Sequence, residues 1–567
     1  MNKAKLVGLT PFGATPSARQ LRHLRHFSRK AFVHFGVNTF TDMEWGHGTE
    51  DTAVFNPTDT DVRQWIKTIK AAGFTLAILT VKHHDGFCLW PSKFNDHNIS
   101  NSPYKDGKGD LVREFTDACH EMGVAVGIYL SPWDRNSKFW GKDEYSTFYN
   151  DQLTELMSNY GRIDEVWWDG AGSNETRYDW GLWAHTIRDL QPEAVIFGSL
   201  GATPYVEMHW VGNESGYAGD PHYPLLDNHS LFVENIKELN SGKFMGERFV
   251  PAEVDVSIRP GWFYHSQQDD EVKSPEKLFR IYLDSVGKSS MMLLNFPPDR
   301  RGLIPDIDIH NAIEAQRLIA STFAVNLAWG AKATADSVRH PLCEADMMLV
   351  ENYDSFYAAS DDNIHPVLTV ELPEKQEIDC LSLGEYIELG VRVCGYKVEA
   401  LVDGEWIELA DKKSIGYKRL ICFAPVTTDK IRLTIYDAAA APVLREFGLY
   451  KLSRDIFSEE RKARGDIKNA KDLCKLPSAS ITYEGKTATV HFGGIYPFNT
   501  IKFKGCGMHS FTFYAFDGSK YYSILKGTRP MEEQIIHLDT TIDSSYQFRF
   551  EGSHPADESL ELEIYNL

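Results

Sequence analysis

The chain has 567 residues, more than a single hydrophobic core serves, so roughly two to four domains are expected. Its formal charge of −21, from 59 Lys+Arg against 80 Asp+Glu, opposes binding to nucleic acid or to an anionic membrane surface. No run of about eighteen apolar residues occurs, so no transmembrane helix is predicted. The eight cysteines are scattered without a CxxC pair, which predicts neither a zinc site nor a disulfide framework.

The first residues, 1–8, lack the apolar core of a signal peptide. The compartment stays open: the protein is periplasmic or secreted if a signal peptide has been removed, and otherwise cytoplasmic. The sequence leaves the oligomeric state open.

Short apolar runs alternate with helix-period segments through the first 300 residues. Val62, Trp65, Ile66 and Ile69, for example, follow the i, i+3, i+4, i+7 spacing of a buried helix face. Eight strand–helix repeats predict a (β/α)8 TIM-like barrel. The fifth and sixth repeats are the weakest, so an open doubly wound sheet remains the alternative. The eight predicted strands are residues 31–37, 76–82, 124–131, 165–170, 194–199, 209–212, 249–257 and 289–298.

The carboxyl ends of these predicted strands are unusually polar. In a parallel barrel all such ends meet at one mouth, where catalytic groups lie. Asp169 is the clearest case, because it ends the run Glu165–Trp168 and is followed at once by Gly170. A carboxylate beside so much apolar surface is normally paired or used. The other polar strand ends carry His34, His83, His84, Tyr129, Glu214, Glu253 and Asp255.

Several reaction classes lack their sequence signatures. His83 and His84 are adjacent, so in a strand they would point to opposite sides, and no HxH or HExxH motif occurs. We therefore expect no metal. No GxGxxG or GxxxxGK[ST] motif opens a helix after a strand, so no nucleotide cofactor is expected.

A pair of carboxylates is the chemistry that remains. Glycoside hydrolysis needs one carboxylic acid to protonate the leaving oxygen and one carboxylate to attack the anomeric carbon or to activate water. Asp169 and Glu214 come from different strand ends and suit these roles. Glu214 lies in a glycine-flanked loop, as a proton donor requires, and Glu253 is the rival candidate.

These motifs resemble the α-L-fucosidases of glycoside hydrolase family 29 from about residue 10 to residue 320. The resembling segments are HFG at 34–36, EWG at 44–46, KHHDGF at 82–87, GIY at 127–129, WWDG at 167–170 and IRPGWF at 258–263. The resemblance implies a barrel, a retaining double displacement and Asp169 as the nucleophile. It also implies a fucose-binding shell made of His34, Glu44, Trp45, His83, His84, Tyr129 and Trp262.

The segment WVGNE at 210–214 resembles the family branch that acts on α-1,3- and α-1,4-linked fucose in Lewis-type glycans. That resemblance implies Glu214 as the acid/base and fucosylated oligosaccharides as partners. The expected activity is thus that of a retaining exo-α-L-fucosidase that needs no cofactor. A broad-specificity α-L-fucosidase and a non-catalytic glycan-binding protein on a barrel scaffold are the alternatives.

The pattern changes after residue 317, where short alternating strands replace the strand–helix repeat. The predicted organisation is a catalytic barrel at 1–325, a β-sandwich at 326–455, a linker at 456–476 and a second small β-domain at 477–567. Carbohydrate binding and purely structural packing are both open for the last domain.

Overall fold

The computed structural model of the protein describes residues 10–172, 177–198, 202, 204–228, 236–454, 456, 470–504, 510–516, 521–528, 534–552 and 560–566. These residues form two compact units. The first comprises residues up to 324 together with 383–392 and 414–420, and the second comprises 325–382, 393–413 and the remainder of the chain from 421.

The first unit contains a closed barrel of eight parallel strands, as the sequence predicted. Lys30 on the first strand is in register with Leu76 on the second and with Leu293 on the eighth, which closes the ring. The open doubly wound sheet is therefore ruled out. The strands are β1 Arg29–Val33, β2 Leu76–Lys82, β3 Ala125–Leu130, β4 Glu165–Trp168, β5 Val195–Gly198, β6 Met208–Trp210, β7 Ala252–Ser257 and β8 Met291–Asn295.

Helices follow most of the strands and begin at identifiable capping residues. Asp61, Asp110 and Ser274 each accept a hydrogen bond from a backbone amide in the first turn of their helix. Pro275 stands in the first turn of α8, where a missing N–H costs nothing. The helices of this unit are α1 Ala18–His26, α2 Val37–Thr41, α3 Val62–Ala71, α4 Leu111–Met122, α5 Glu144–Asn159, α6 Trp180–Leu190, α7 Ile236–Ser241, α8 Pro275–Asp284 and α9 Asp306–Thr322.

Only the predicted strand 76–82 has the observed boundaries, and the other seven differ by one to four residues at an end. The predicted strand 249–257 is divided, because Arg248–Phe249 pairs with Leu225–Leu226 in a separate small sheet and the barrel strand begins at Ala252. Pro251 lies between the two and has no N–H to donate. The predicted strand 194–199 ends at Gly198, and Ser199 lies outside the described residues.

The barrel interior contains a buried ion cluster near the amino-terminal ends of its strands. Lys30 donates hydrogen bonds to Glu165 (2.6 Å) and to Glu253, and all three side chains are fully buried. Trp167 donates from Nε1 to Glu253 Oε1 at 2.8 Å. A buried charge is tolerated only when it is paired in this way.

Above this level the interior is aromatic, and the rings of Phe32 and Tyr129 pack on Trp167. This packed layer separates the ion cluster from the carboxyl ends of the strands, where the predicted site residues lie.

The second unit consists of antiparallel sheets, which fits the predicted sandwich class. One sheet orders its strands Tyr357–Ala358, Val443–Tyr450, Val367–Glu385, Arg419–Ala438, Val393–Val402 and Glu405–Lys412, with Lys332–Ala335 paired to Val367–Glu385. The other orders Ser480–Glu484, Thr487–Lys504, Gln534–Gly552, Ser510–Phe516 and Tyr521–Thr528, with Glu561–Tyr565 paired to Thr487–Lys504.

The later sheet has its own phenylalanine-rich core, into which Leu473 and Leu476 pack. Most of the predicted linker 456–476 lies outside the described residues, and the predicted boundaries at 455 and 477 stay predictions. None of the described helices is both long enough and apolar enough to cross a bilayer.

Candidate active site

Asp169 lies immediately after β4, as its place in the sequence predicted. Its Oδ2 accepts a hydrogen bond from the Tyr129 hydroxyl at 2.9 Å, and its Oδ1 accepts one from the Ala171 amide at 2.7 Å. His84 Nε2 lies 3.7 Å from the same Oδ2. The carboxylate is 28% exposed, so it is held in a fixed orientation and remains open to a ligand.

His34 lies at the end of β1 and is locked by Asn295 at the end of β8. Asn295 Nδ2 donates to Ser257 Oγ (2.9 Å) and to the Trp262 carbonyl (2.7 Å), which leaves its Oδ1 as an acceptor. His34 Nδ1 is 2.9 Å from that Oδ1 and must therefore carry the proton. Burial lowers the pKa of His34 to about 3, so the ring is neutral. Its Nε2 can therefore accept a hydrogen bond from a hydroxyl group.

The two adjacent histidines are arranged differently from the sequence argument. β2 ends at Lys82, so His83 and His84 leave the strand and their ring centroids are only 4.1 Å apart. The expectation that they point to opposite sides was wrong because strand alternation stops before them. The turn is made at Gly86 (φ 79°), where a Cβ would come 2.4 Å from Asp134 Oδ1.

Burial favours the uncharged form of both rings, and a hydrogen bond to Ser131 fixes the tautomer of His84. Ser131 donates to the Trp133 carbonyl (2.6 Å), so its oxygen accepts from His84 Nδ1 at 2.8 Å. His84 Nε2 then carries no proton, makes no hydrogen bond to the Asp169 carboxylate 3.7 Å away, and can accept one from a ligand hydroxyl. Burial lowers the pKa of His84, and the negative charge of Asp169 only partly offsets it. Burial lowers the pKa of His83 further, and its ring stacks on Tyr129.

Glu214 lies in the loop after β6. Its Oε2 accepts a hydrogen bond from Trp262 Nε1 at 3.0 Å. Burial raises the pKa of Glu214; the Trp262 bond opposes this rise, and the negative charges of Asp169 and Glu44 add to it. The side chain is thus biased toward its protonated form while its loop remains exposed at the barrel mouth.

Glu44 holds the loop that carries Trp262. Its carboxylate accepts from the backbone amides of Trp262 (2.8 Å) and Phe263 (3.2 Å). His265 sits between Glu44 Oε1 and Asp42 Oδ1, 2.6 Å from each. Burial lowers the pKa of His265, but these two carboxylates outweigh it and the net shift is upward. A cationic His265 therefore links Asp42 to the Trp262 loop.

The remaining predicted residues fall into different environments. Trp45 is 54% exposed, and its ring meets the edges of His84 (5.8 Å) and Trp133 (5.6 Å), so it forms part of the rim. Glu253, the rival acid/base candidate, is fully buried in the ion cluster with Lys30. Burial, then the charge of Glu165, raises the pKa of Glu253 to about 7.

Sequence reasoning missed the residues that orient the others. Asn295, Ser131 and His265 each fix a predicted site residue, and Asp42 in turn holds His265. None of the four carries a motif. An asparagine inside the apolar run MMLLN was the one signal that could have been noticed. Within the described part of the chain, no three His, Cys, Asp or Glu side chains are grouped to hold a metal ion.

Comparison with known proteins gives a consistent result. The family model for α-L-fucosidase matches residues 20–315. Alpha-L-fucosidase 1 from Arabidopsis thaliana is 37% identical over 452 residues, which is 78% of this chain and 88% of that protein. A crystal structure from Bacteroides thetaiotaomicron is 45% identical with a TM-score of 0.76, over 78% of this chain and 99% of that one. A glycoside hydrolase 29 family member from an unknown rumen bacterium is 30% identical with a TM-score of 0.70, over 98% and 100%.

A closed (β/α)8 barrel with carboxylates and aromatic rings at the carboxyl ends of its strands defines a barrel glycoside hydrolase. The chain belongs to the α-L-fucosidase family, glycoside hydrolase family 29. It is a hydrolase with α-L-fucosidase activity, so the alternative of a non-catalytic glycan-binding protein is set aside.

Proposed function

We propose that the protein is a retaining exo-α-L-fucosidase that removes α-1,3- and α-1,4-linked L-fucose from branched, Lewis-type glycans. Asp169 attacks the anomeric carbon and forms a fucosyl-enzyme. Glu214 protonates the departing oxygen and then deprotonates the water that releases fucose.

The placement of Asp169 supports its role as the nucleophile. Its two hydrogen bonds, from Tyr129 and Ala171, fix the carboxylate where the strand ends converge. His34 and His84 each present an Nε2 acceptor in the same region. Neutral acceptors of this kind suit sugar hydroxyls. Each hydroxyl loses hydrogen bonds to water when the sugar binds and needs an acceptor on the protein in their place.

The contact between Trp262 and Glu214 is the single observation that carries the proposal. It joins the proposed acid/base to a residue of the predicted sugar-binding shell. The negative charge of Asp169 also raises the pKa of Glu214. One carboxyl group biased toward protonation near a second is the arrangement that acid-assisted glycoside cleavage requires. Glu253 has no such access, since it is fully buried against Lys30.

The linkage preference rests on the resemblance of residues 210–214 and on the rim. Trp45 is 54% exposed and Tyr217, three residues beyond Glu214, is 46% exposed. Exposed aromatic faces can cover the apolar face of a second sugar. Contacts to that second sugar, away from the bond that breaks, are available to lower the barrier and thus raise turnover.

Side-by-side digestion of Lewis x trisaccharide and 2′-fucosyllactose tests the linkage. Fucose should be released at least about ten times faster from Lewis x, which corresponds to one extra sugar contact of about 1.4 kcal/mol in the transition state. Equal rates, or faster release from the α-1,2 linkage, would favour the broad-specificity alternative and leave the fucosidase activity itself intact.

A further inference from the structure

Asp255 is a buried carboxyl group to which the proposed mechanism assigns no role. On β7 the side chains alternate, so that Val254 and Val256 pack outside the barrel and Glu253, Asp255 and Ser257 face its interior. Asp255 is in register with Leu293 of β8, an interior residue that belongs to the same cluster as Phe32, Tyr129 and Trp167.

The interior residues directly below and above Asp255 both have partners. Below it, Glu253 bonds to Lys30 and to Trp167. Above it, Ser257 accepts from Asn295, the residue that fixes His34. Asp255 therefore lies one level above the ion cluster and one level below the ring of strand-end residues.

One carboxyl oxygen of Asp255 lacks such a partner. Asp255 is 3% exposed, and its Oδ1 is buried with no hydrogen-bond partner among the described residues. Buried polar groups are almost always hydrogen-bonded, so an unpaired one calls for an explanation. The ammonium of Lys30 is already taken by Glu165 and Glu253 and does not neutralise it.

The charges facing Asp255 are all negative. Burial raises the pKa of Asp255 well above its ordinary value, and the carboxylates of Glu214, Glu253 and Asp169 raise it further, while a hydrogen bond from its own backbone N–H opposes the rise. These three come from the loop after β6, from β7 itself and from the end of β4. This shift favours the protonated form of Asp255, and a protonated carboxyl group has one O–H donor as well as an acceptor.

We propose that Asp255 is an additional sugar-binding residue at the floor of the active site, where its carboxyl group exchanges hydrogen bonds with the fucosyl residue. The inference rests on the proposed function, since it places the sugar between Asp169 and Glu214. Asp255 lies one interior level below Ser257, which accepts a hydrogen bond from the Asn295 that fixes His34, so its carboxyl group lies beneath the strand-end residues of the site. Binding of the sugar would supply the partner that Oδ1 lacks.

The test compares Asp255→Asn and Asp255→Ala in the full chain, with free L-fucose as the probe and calorimetry as the measurement. The amide keeps a donor and an acceptor, so Asp255→Asn should weaken binding by only about three-fold. Asp255→Ala removes both, so it should weaken binding by about ten-fold or more. The proposal is overturned if folded Asp255→Ala binds L-fucose as tightly as the parent protein, or if Asp255→Asn loses as much as Asp255→Ala.

Glu253→Gln is the matched control, because Glu253 lies on the same strand and the same face. It should lower the melting temperature and leave the Kd for L-fucose within about two-fold, since its partners are Lys30 and Trp167. If it weakens binding as much as Asp255→Ala does, the loss comes from general disruption of the interior and the proposal fails.

Infrared difference spectroscopy keeps the proposal testable if Asp255→Ala does not fold. Addition of L-fucose should shift the carbonyl band of a protonated carboxylic acid, and that band should be missing in Asp255→Asn. A band that ignores L-fucose contradicts the proposal. These readouts are binding and protonation, so they are independent of whether Asp169→Ala abolishes turnover, which tests the proposed function.

Discussion

Asp169 and Glu214 are both carboxylates at the mouth of the barrel, but they are bonded differently. Asp169 accepts from a tyrosine hydroxyl and a backbone amide, whereas the side chain of Glu214 accepts from Trp262. The first is fixed in place by two donors and the second is partly buried with a single one. In retaining glycosidases, unlike surroundings give two carboxyl groups different pKa values, so that one acts as the nucleophile and the other as the acid.

Replacement of the proposed nucleophile tests this difference most simply. Asp169→Ala should lower kcat for an aryl fucoside by roughly four or more orders of magnitude, because the covalent step is lost. Added azide should restore part of the turnover and give a fucosyl azide of inverted configuration. Asp189→Ala, which removes an exposed carboxylate on α6, is the control and should not differ from the parent. Near-parental turnover in Asp169→Ala would reject the assignment.

Replacement of Glu214 should separate substrates by their leaving groups. Glu214→Ala should slow hydrolysis of natural glycans by roughly two to four orders of magnitude and aryl fucosides with acidic leaving groups far less, since those need no proton. Glu253→Ala should show no such dependence, because Glu253 is sealed in the ion cluster. If the dependence appears in Glu253→Ala and is missing in Glu214→Ala, the roles have been misassigned.

The Trp262–Glu214 hydrogen bond predicts a shift in the pH profile. The bond stabilises the ionised carboxylate and thereby lowers the pKa of Glu214 against the rise caused by burial. Trp262→Phe removes the donor, so the pKa should rise and Glu214 should stay protonated to higher pH. The alkaline limb of kcat/KM should move upward, although kcat/KM itself falls. An unmoved or lowered limb would contradict the assignment of Glu214 as the acid.

At the scale of the elements, one histidine ties two segments together. His265 joins Asp42, at the end of α2, to Glu44, and Glu44 holds the backbone of Trp262. The hydrogen bond to His265 lowers the pKa of Asp42, while the net pKa of His265 is raised. The loop that carries Trp262 is therefore positioned by an ion pair that exists only while His265 is protonated.

His265→Gln should destabilise the protein in a pH-dependent manner. A raised histidine pKa contributes stability in full below the ordinary value of about 6.5, and that stability is lost as the pH rises through the raised value. The free energy of unfolding should fall by about 1–2 kcal/mol at pH 6, with little change at pH 9.5. Melting temperatures at the two pH values measure this, with the exposed His310→Gln on α9 as the control. Equal losses at both pH values would remove the ionic explanation.

The strands, and the residues at their ends, were largely predictable from the sequence, but the contacts between distant segments were not. Apolar runs bounded by glycine and by helix caps located the barrel strands, and residues at their ends, such as Asp169, were predicted from chain position alone. His83 and His84 were misjudged because the exact end of β2 depends on a turn whose space is set by Asp134, far along the chain. The partners of His34 and Glu44 could not be predicted. Asn295 and His265 are far from them in the sequence and come close only when the barrel has closed.

On the scale of the whole molecule, the barrel unit holds every predicted site residue. The described part of the later sheet, by contrast, has its own core between Leu473 and Ile564. The relative from Bacteroides thetaiotaomicron is matched along 99% of its length by 78% of this chain. The C-terminal sheet is therefore expected to be dispensable for the chemical step.

A chain that ends at residue 454 should keep kcat/KM for an aryl fucoside within about three-fold of the full-length value. A large loss in a folded truncated protein would show that the C-terminal sheet supports the site. If only glycan substrates lose rate, the removed segment contributes to glycan binding, which is the role left open for it.

Covalent trapping tests the central claim most directly. A 2-deoxy-2-fluoro-fucosyl fluoride should form a fucosyl-enzyme that accumulates, because the 2-fluorine slows both steps whereas the good leaving group speeds only the first. Peptide mass spectrometry should then find a single 2-deoxy-2-fluorofucosyl group on Asp169. A label on Glu214, on Glu253 or on any other carboxylate, or inactivation without a label, would contradict the account.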